Sequence, residues 1–170
     1  MSLVVVNARL DIQKLIKNLL ISLGTGILAS FLAGDALFAY SRFNKPGFSP
    51  PFFLISIIWA IMYISIGIAA YITEINSGSG KNLYRYGSYS IDKKSILNLY
   101  YFHLIFNFLW TVIIFKFNSP IIALIDMILL FLLVILVAVG FIKLNKSTAI
   151  FMVPYLIWCF YLLILNIGLL

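Results

Sequence analysis

PIIALIDMILLFLLVILVAVGFI, Pro120 to Ile142, holds one carboxyl, Asp126, and no basic residue. A helix needs roughly 20 such residues to cross about 30 Å of hydrocarbon. The stretch is therefore a membrane span. Four more runs of similar length and character surround it, at roughly Leu15 to Phe38, Phe52 to Thr73, Ile96 to Phe117 and Thr148 to Leu169. An open sheet would leave its backbone groups unpaired in lipid, and the runs are too long and uniform for barrel strands. The expected fold is all-α: one domain over residues 1–170, an integral membrane bundle of five transmembrane helices.

Composition agrees, with 64% of residues apolar, 10% charged and a mean hydropathy of +1.11. A soluble fold of this size could not cover that much apolar surface. The formal charge of +7 resides between the runs or at their ends, so it reads as membrane orientation and excludes a nucleic-acid partner. Arg9, Lys14, Lys17, Lys81, Arg85, Lys93, Lys94, Lys143 and Lys146 fall on the N-terminal side, against Arg42, Lys45 and Lys116 opposite. This asymmetry places the N-terminus in the cytoplasm. Arg9, Lys14 and Lys17 lead into a run long enough to span and without a cleavage site, which reads as the first helix.

Punctuation sets the expected boundaries. Ser49-Pro50 and Ser119-Pro120 look like N-caps followed by proline at the first helical position. Pro154 falls inside the last run, where it removes one backbone hydrogen bond and is expected to kink the helix unless neighbours compensate. Gly26, Ser30 and Gly34 form a small-residue stripe on which another helix can approach, for packing within the chain or in a dimer. Glu74 to Ser95, with SGSGK and YRYGSYS, is expected to be a mobile loop.

Chemistry concentrates in four places. KPGFSPPFF, Lys45 to Phe53, carries Pro46 and Phe48 in a stiffened aromatic loop that suits a lid over one end of the bundle. Trp59, Tyr63 and Gly67 share a helix face at four-residue spacing. Tyr100, His103, Asn107 and Trp110 form a polar-aromatic stripe that must face the interior, because an unpaired amide or imidazole costs several kcal/mol in hydrocarbon. His103 lacks companions for a metal site and reads as a hydrogen-bonded histidine. Asp126 must be interior, paired or protonated; it is either a strut or a pocket-lining group. Pro154, Trp158, Tyr161 and Asn166 add rings and an amide from the last helix, and the lone Cys159 offers no disulfide.

These motifs together resemble the TspO family, also called the translocator protein, tryptophan-rich sensory protein or peripheral benzodiazepine receptor family. The resemblance rests on KPGFSPPFF with Trp59-x3-Tyr63-x3-Gly67, on Asn107-x2-Trp110, on ALID at Ala123 to Asp126, and on PYLIW at Pro154 to Trp158 with Asn166. It implies a five-helix bundle, generally dimeric, whose first loop covers a pocket for porphyrins, benzodiazepine-site ligands and, in some members, sterols. No cofactor is implied as required; protoporphyrin IX or a related tetrapyrrole is the implied ligand. Carried over by position, the pocket residues are Trp59, Asn107 and Trp158, with Tyr63, Trp110 and Asp126 in support. The chain departs from the pattern at Phe48, Phe53, Phe108 and Ile122, where the family often has tryptophan, and at Leu162, where it usually has a small residue. An aromatic followed by a basic residue, the sterol motif near the C-terminus of animal members, is absent after Asn166.

The leading functional expectation is a binding or sensory protein of a prokaryotic plasma membrane, with a flat ligand stacked between Trp59 and Trp158. A light-dependent porphyrin-degrading enzyme ranks second, since the sequence shows no nucleophile-base pair, metal cluster or phosphate loop. Transport or scaffolding ranks third, with only Pro154 and Asp126 hinting at a broken helix or midplane charge.

Overall fold

The structure, a computed structural model, describes residues 11–75, 83–86 and 89–170, with the backbone alone for 83–86 and 89–91. Helices α1 (Ile12–Ala33), α3 (Phe52–Ile75), α4 (Lys93–Phe115), α5 (Pro120–Leu144) and α6 (Ala149–Ile167) are the five expected spans. A short helix α2 (Ala36–Arg42) lies in the first connection, and an antiparallel hairpin β1 (Leu83–Tyr86) and β2 (Tyr89–Asp92) in the second.

The first span ends sooner than Phe38. Gly34 adopts φ 71°, a left-handed conformation that stops α1. Asp35 then starts a new helix, its Oδ1 accepting from the Phe38 amide at 2.9 Å. The second span also starts later than Ser49-Pro50 suggests. The Pro51 carbonyl accepts from the Leu54 and Ile55 amides, so the helix begins at Phe52. Pro120 stands in the first turn of α5 as expected, but Ser119 is its N-cap by position only, since its side chain makes no capping hydrogen bond. Thr148 belongs to a 3-10 turn, Lys146–Thr148, that precedes α6. Helix α6 runs unbroken through Pro154, whose ring is on its exposed face. The segment expected to be loose carries the hairpin, with Tyr84 paired to Ile91. SGSGK and Gly87-Ser88 lie outside the described residues, as do Arg9 and Lys81.

The spans close into a ring in which α1 touches α3 and α4, α5 joins α4 to α6, and α6 returns to α3. Its polarity is inverted relative to a soluble protein. Asn18, Ser22, Thr73, His103, Asn107, Asp126 and Asn166 are buried, while Ile27, Phe31, Leu37, Ile121, Ile150 and Ile157 are exposed. Lipid solvates the second set, and only helix partners can satisfy the first. Glycines permit the close contacts: a Cβ on Gly67 would stand 2.5 Å from Ser22 Oγ, joining α1 to α3, and one on Gly140 would stand 2.7 Å from Ile96, joining α5 to α4. At the end bearing the N-terminus, Glu74 takes Lys17 Nζ at 2.6 Å and Asn18 Nδ2 at 2.7 Å, which ties α1 to the end of α3.

Candidate functional site

Three spans contribute one connected group of rings. Trp59 stacks on Tyr63 at 5.5 Å and 27°, as four-residue spacing on one helix face permits. It also meets Trp110 of α4 at 6.0 Å and Trp158 of α6 at 6.5 Å. The Trp59 and Trp158 planes stand at 86°, edge to face, a favourable aromatic geometry that leaves no gap between them for a third ring. Trp158 stacks instead on Tyr161 at 5.3 Å.

Beneath the rings runs a buried relay. Tyr63 Oη donates to Asn107 Oδ1 at 2.6 Å, and Asn107 Nδ2 donates to Tyr155 Oη at 2.7 Å. Tyr155 Oη in turn lies 3.3 Å from His103 Nε2, and His103 Nδ1 meets the Tyr100 carbonyl. A carbonyl only accepts, so Nδ1 carries the hydrogen and Nε2 accepts from Tyr155. Every link has one direction, and α3, α4 and α6 are held by it. A second lock lies one turn further along α4: Trp110 Nε1 donates to Asn166 Oδ1 at 2.9 Å, and Asn166 Nδ2 donates to the Pro120 carbonyl at 3.1 Å.

The large cavity lies on the other side of Trp59. It has a volume of about 560 Å³, between α1 and α3 where the two helices part beyond the Gly26–Tyr63 contact. Ile27, Ser30 and Ala33 form one wall, Ile55, Ser56, Trp59 and Tyr63 the other; Asp35 and Leu37 roof it, and Thr111 and Phe115 of α4 close the back. Ile27, Ser30, Leu37, Ser56 and Ala60 line it and are also exposed, so the cavity opens sideways from the bundle. Its volume and mostly apolar lining are those of a small-molecule site.

Of the residues expected from sequence, Trp59 and Tyr63 line this cavity. Asn107, Trp110, His103 and Trp158 are buried behind them. Leu162 is buried with Trp110 and Asn166 around a gap of only about 10 Å³, so the α6 side of the tryptophans is filled. The proline-rich loop is tied to α2 and α6, and of KPGFSPPFF only Phe52, already in α3, lines the cavity. Tyr161 Oη donates to the Phe48 carbonyl at 3.1 Å, Tyr40 Oη donates to that of Pro50 at 2.7 Å, and Pro46 crowds Gly168. The roofing role falls to α2. Asp126 is 7% exposed, and its Oδ2 and the Trp158 indole nitrogen have no hydrogen-bond partner among the described residues.

Sequence reasoning missed Asp35, Ser56 and Thr111 as lining residues, and treated Gly26 and Ser30 as a packing stripe. It also passed over Tyr155, although its place three residues before Trp158 puts both on one face of the last helix. Among the described residues no cluster of three potential metal ligands occurs.

The profile of the TspO/MBR family matches residues 18–170. The chain is 29% identical to the tryptophan-rich protein TspO of Archaeoglobus fulgidus, over 94% of this chain and 96% of that one. It is 28% identical to the tryptophan-rich protein TspO of Chlorobaculum tepidum, over 84% of each. It is 26% identical to the human translocator protein, over 85% of this chain and 80% of that one. With a profile match over nearly its whole length and five apolar spans, this multi-pass integral membrane protein belongs to the TspO/MBR family.

Proposed function

We propose that the chain is a binding or sensory protein for flat hydrophobic molecules, tetrapyrroles such as protoporphyrin IX foremost, working as a homodimer in a prokaryotic plasma membrane with its N-terminus in the cytoplasm. The supporting observation is the cavity of about 560 Å³ with the Trp59 and Tyr63 rings on one wall. A planar guest laid against Trp59 gains on the order of 25 cal/mol per Å² of apolar surface removed from water, and the stacked Tyr63 keeps the indole in place. The guest lies between α1 and Trp59 rather than between the two tryptophans, because Trp158 already occupies the other side of Trp59. Nine basic residues on the N-terminal side support the orientation.

Titration of the detergent-purified chain with protoporphyrin IX, followed by tryptophan fluorescence, tests this. Saturable quenching that is lost on filling the cavity with Ser30→Trp is the expected result. Quenching that rises linearly without saturating would dismiss it.

A further inference from the structure

The residues through which the cavity opens sit inside two membrane spans. Ser30 and Ile27 precede the end of α1 at Ala33, and Ser56 and Ala60 follow the start of α3 at Phe52. At 1.5 Å per residue they stand roughly 5–12 Å in from those helix ends. Spans of 22 and 24 residues overhang about 30 Å of hydrocarbon only slightly. The mouth therefore faces acyl chains, in the leaflet opposite the N-terminus. It is continuous with the lipid-facing surface: Ile27 and Ser30 share a helix face with Phe31, as Ser56 and Ala60 do with Phe53 and Ile57, and all seven are exposed.

We infer that an acyl chain of a leaflet phospholipid occupies the cavity until a guest arrives, and that the guest enters sideways from the bilayer by displacing it. The displacement rests on the ligand site proposed above; the occupancy does not. Leu23, Ile27, Ile55 and Phe115 give the chain apolar contact. It strands none of three lining hydroxyls, because Tyr63 Oη donates to Asn107 Oδ1, Ser56 Oγ to the Phe52 carbonyl and Thr111 Oγ1 to the Asn107 carbonyl. A second copy's helix, about 10–12 Å across, would lie over the mouth and leave the back wall at Thr111 and Phe115 uncovered, where an acyl chain is thin enough to reach. The Ser30 hydroxyl and the Trp59 indole N–H have no hydrogen-bond partner among the described residues and gain none from an alkyl chain. A ring bearing carboxylates offers them acceptors, which gives a tetrapyrrole its advantage over the lipid.

Native mass spectrometry of the full chain, released from nanodiscs of palmitoyl-oleoyl phosphatidylcholine, tests this. A single phospholipid is expected to stay on the chain after collisional activation has stripped the others, and protoporphyrin IX should replace it one for one. Ser30→Trp and Ala60→Phe, on opposite lips of the mouth, should each abolish that retention, whereas Ile157→Trp on the exposed face of α6 should not. No retained lipid, or retention that survives both mouth substitutions, overturns the acyl-chain occupant. Dimers that fall to monomers in both mouth variants, with lipid retention unchanged, make a second copy the occupant and overturn it as well. Protoporphyrin bound on top of the lipid, or not at all, while the mouth variants still shed the lipid, overturns the displacement and the proposed porphyrin site but leaves the acyl chain in place.

Discussion

Gly26 and Tyr63 touch so closely that a Cβ on Gly26 would stand 2.6 Å from Tyr63 Cδ2. Both residues line the cavity, so this contact between α1 and α3 is part of its wall. Gly26→Ala must push the Tyr63 ring and strain its bond to Asn107. We expect a loss of about 1–3 kcal/mol in stability together with weaker porphyrin binding. Thermal unfolding and titration of the same sample check it; an unshifted midpoint would mean that the helices separate freely.

Trp59 lines the cavity, whereas Trp158 meets Trp59 edge-on from behind. Trp59→Phe should therefore weaken protoporphyrin binding about tenfold, and Trp158→Phe only about twofold to threefold, through the loss of support. Equal losses at both positions would put the guest between the rings after all.

Asn166 bridges the Trp110 indole to the Pro120 carbonyl and faces no part of the large cavity. Asn166→Ala leaves a buried indole N–H without a partner, at an expected cost of about 1–3 kcal/mol. Ligand affinity measured below the unfolding transition should stay within about twofold of the parent, since no lining group moves. A large loss of affinity with unchanged stability would contradict this division of labour.

Asp126 is buried with Oδ2 unpartnered among the described residues. Replacing the acid by an amide of equal size removes an ionisable group from an apolar setting. Asp126→Asn is expected to raise stability by about 1 kcal/mol. A lowered unfolding midpoint would reveal a partner that the bundle depends on.

Asp92 caps α4, accepting from Ser95 Oγ and from the Lys94 and Ser95 amides. These bonds, the Ser95 hydroxyl first, hold its carboxyl below the ordinary value of 3.8. The folded state thus binds the proton less readily than the unfolded chain does. The stabilisation is complete above pH 3.8 and fades as the pH falls through the lower folded value. Asp92→Asn retains a capping residue without the titration, so its unfolding midpoint should fall less than the parent's over the same acid range; parallel curves would remove Asp92 from the account.

Five apolar runs were legible because hydrocarbon imposes a length and a composition that hold residue by residue, whatever the neighbours do. Segregation of the basic residues to the ends is legible for the same reason. The interior stripe of Tyr100, His103, Asn107 and Trp110 followed from helical spacing and the cost of an unpaired polar group in lipid, and all four are buried. The break at Gly34 was written in the sequence as Gly-Asp and was overlooked, because the apolar run continues on both sides of it.

What the sequence could not decide is on which side of Trp59 the free space lies. Spacing puts Trp59 and Tyr63 on one face, but the cavity depends on α1 and α3 meeting at Gly26 and diverging beyond it, while Trp158 and Leu162 fill the opposite side. Nor could it show that the hydroxyls of Ser56, Tyr63 and Thr111 would spend their hydrogens within the protein. The chain's chemistry sets what must avoid water or lipid, one residue at a time. Which voids survive and which hydrogen bonds close are properties of helix pairs, and they exist only once five helices have closed into a ring.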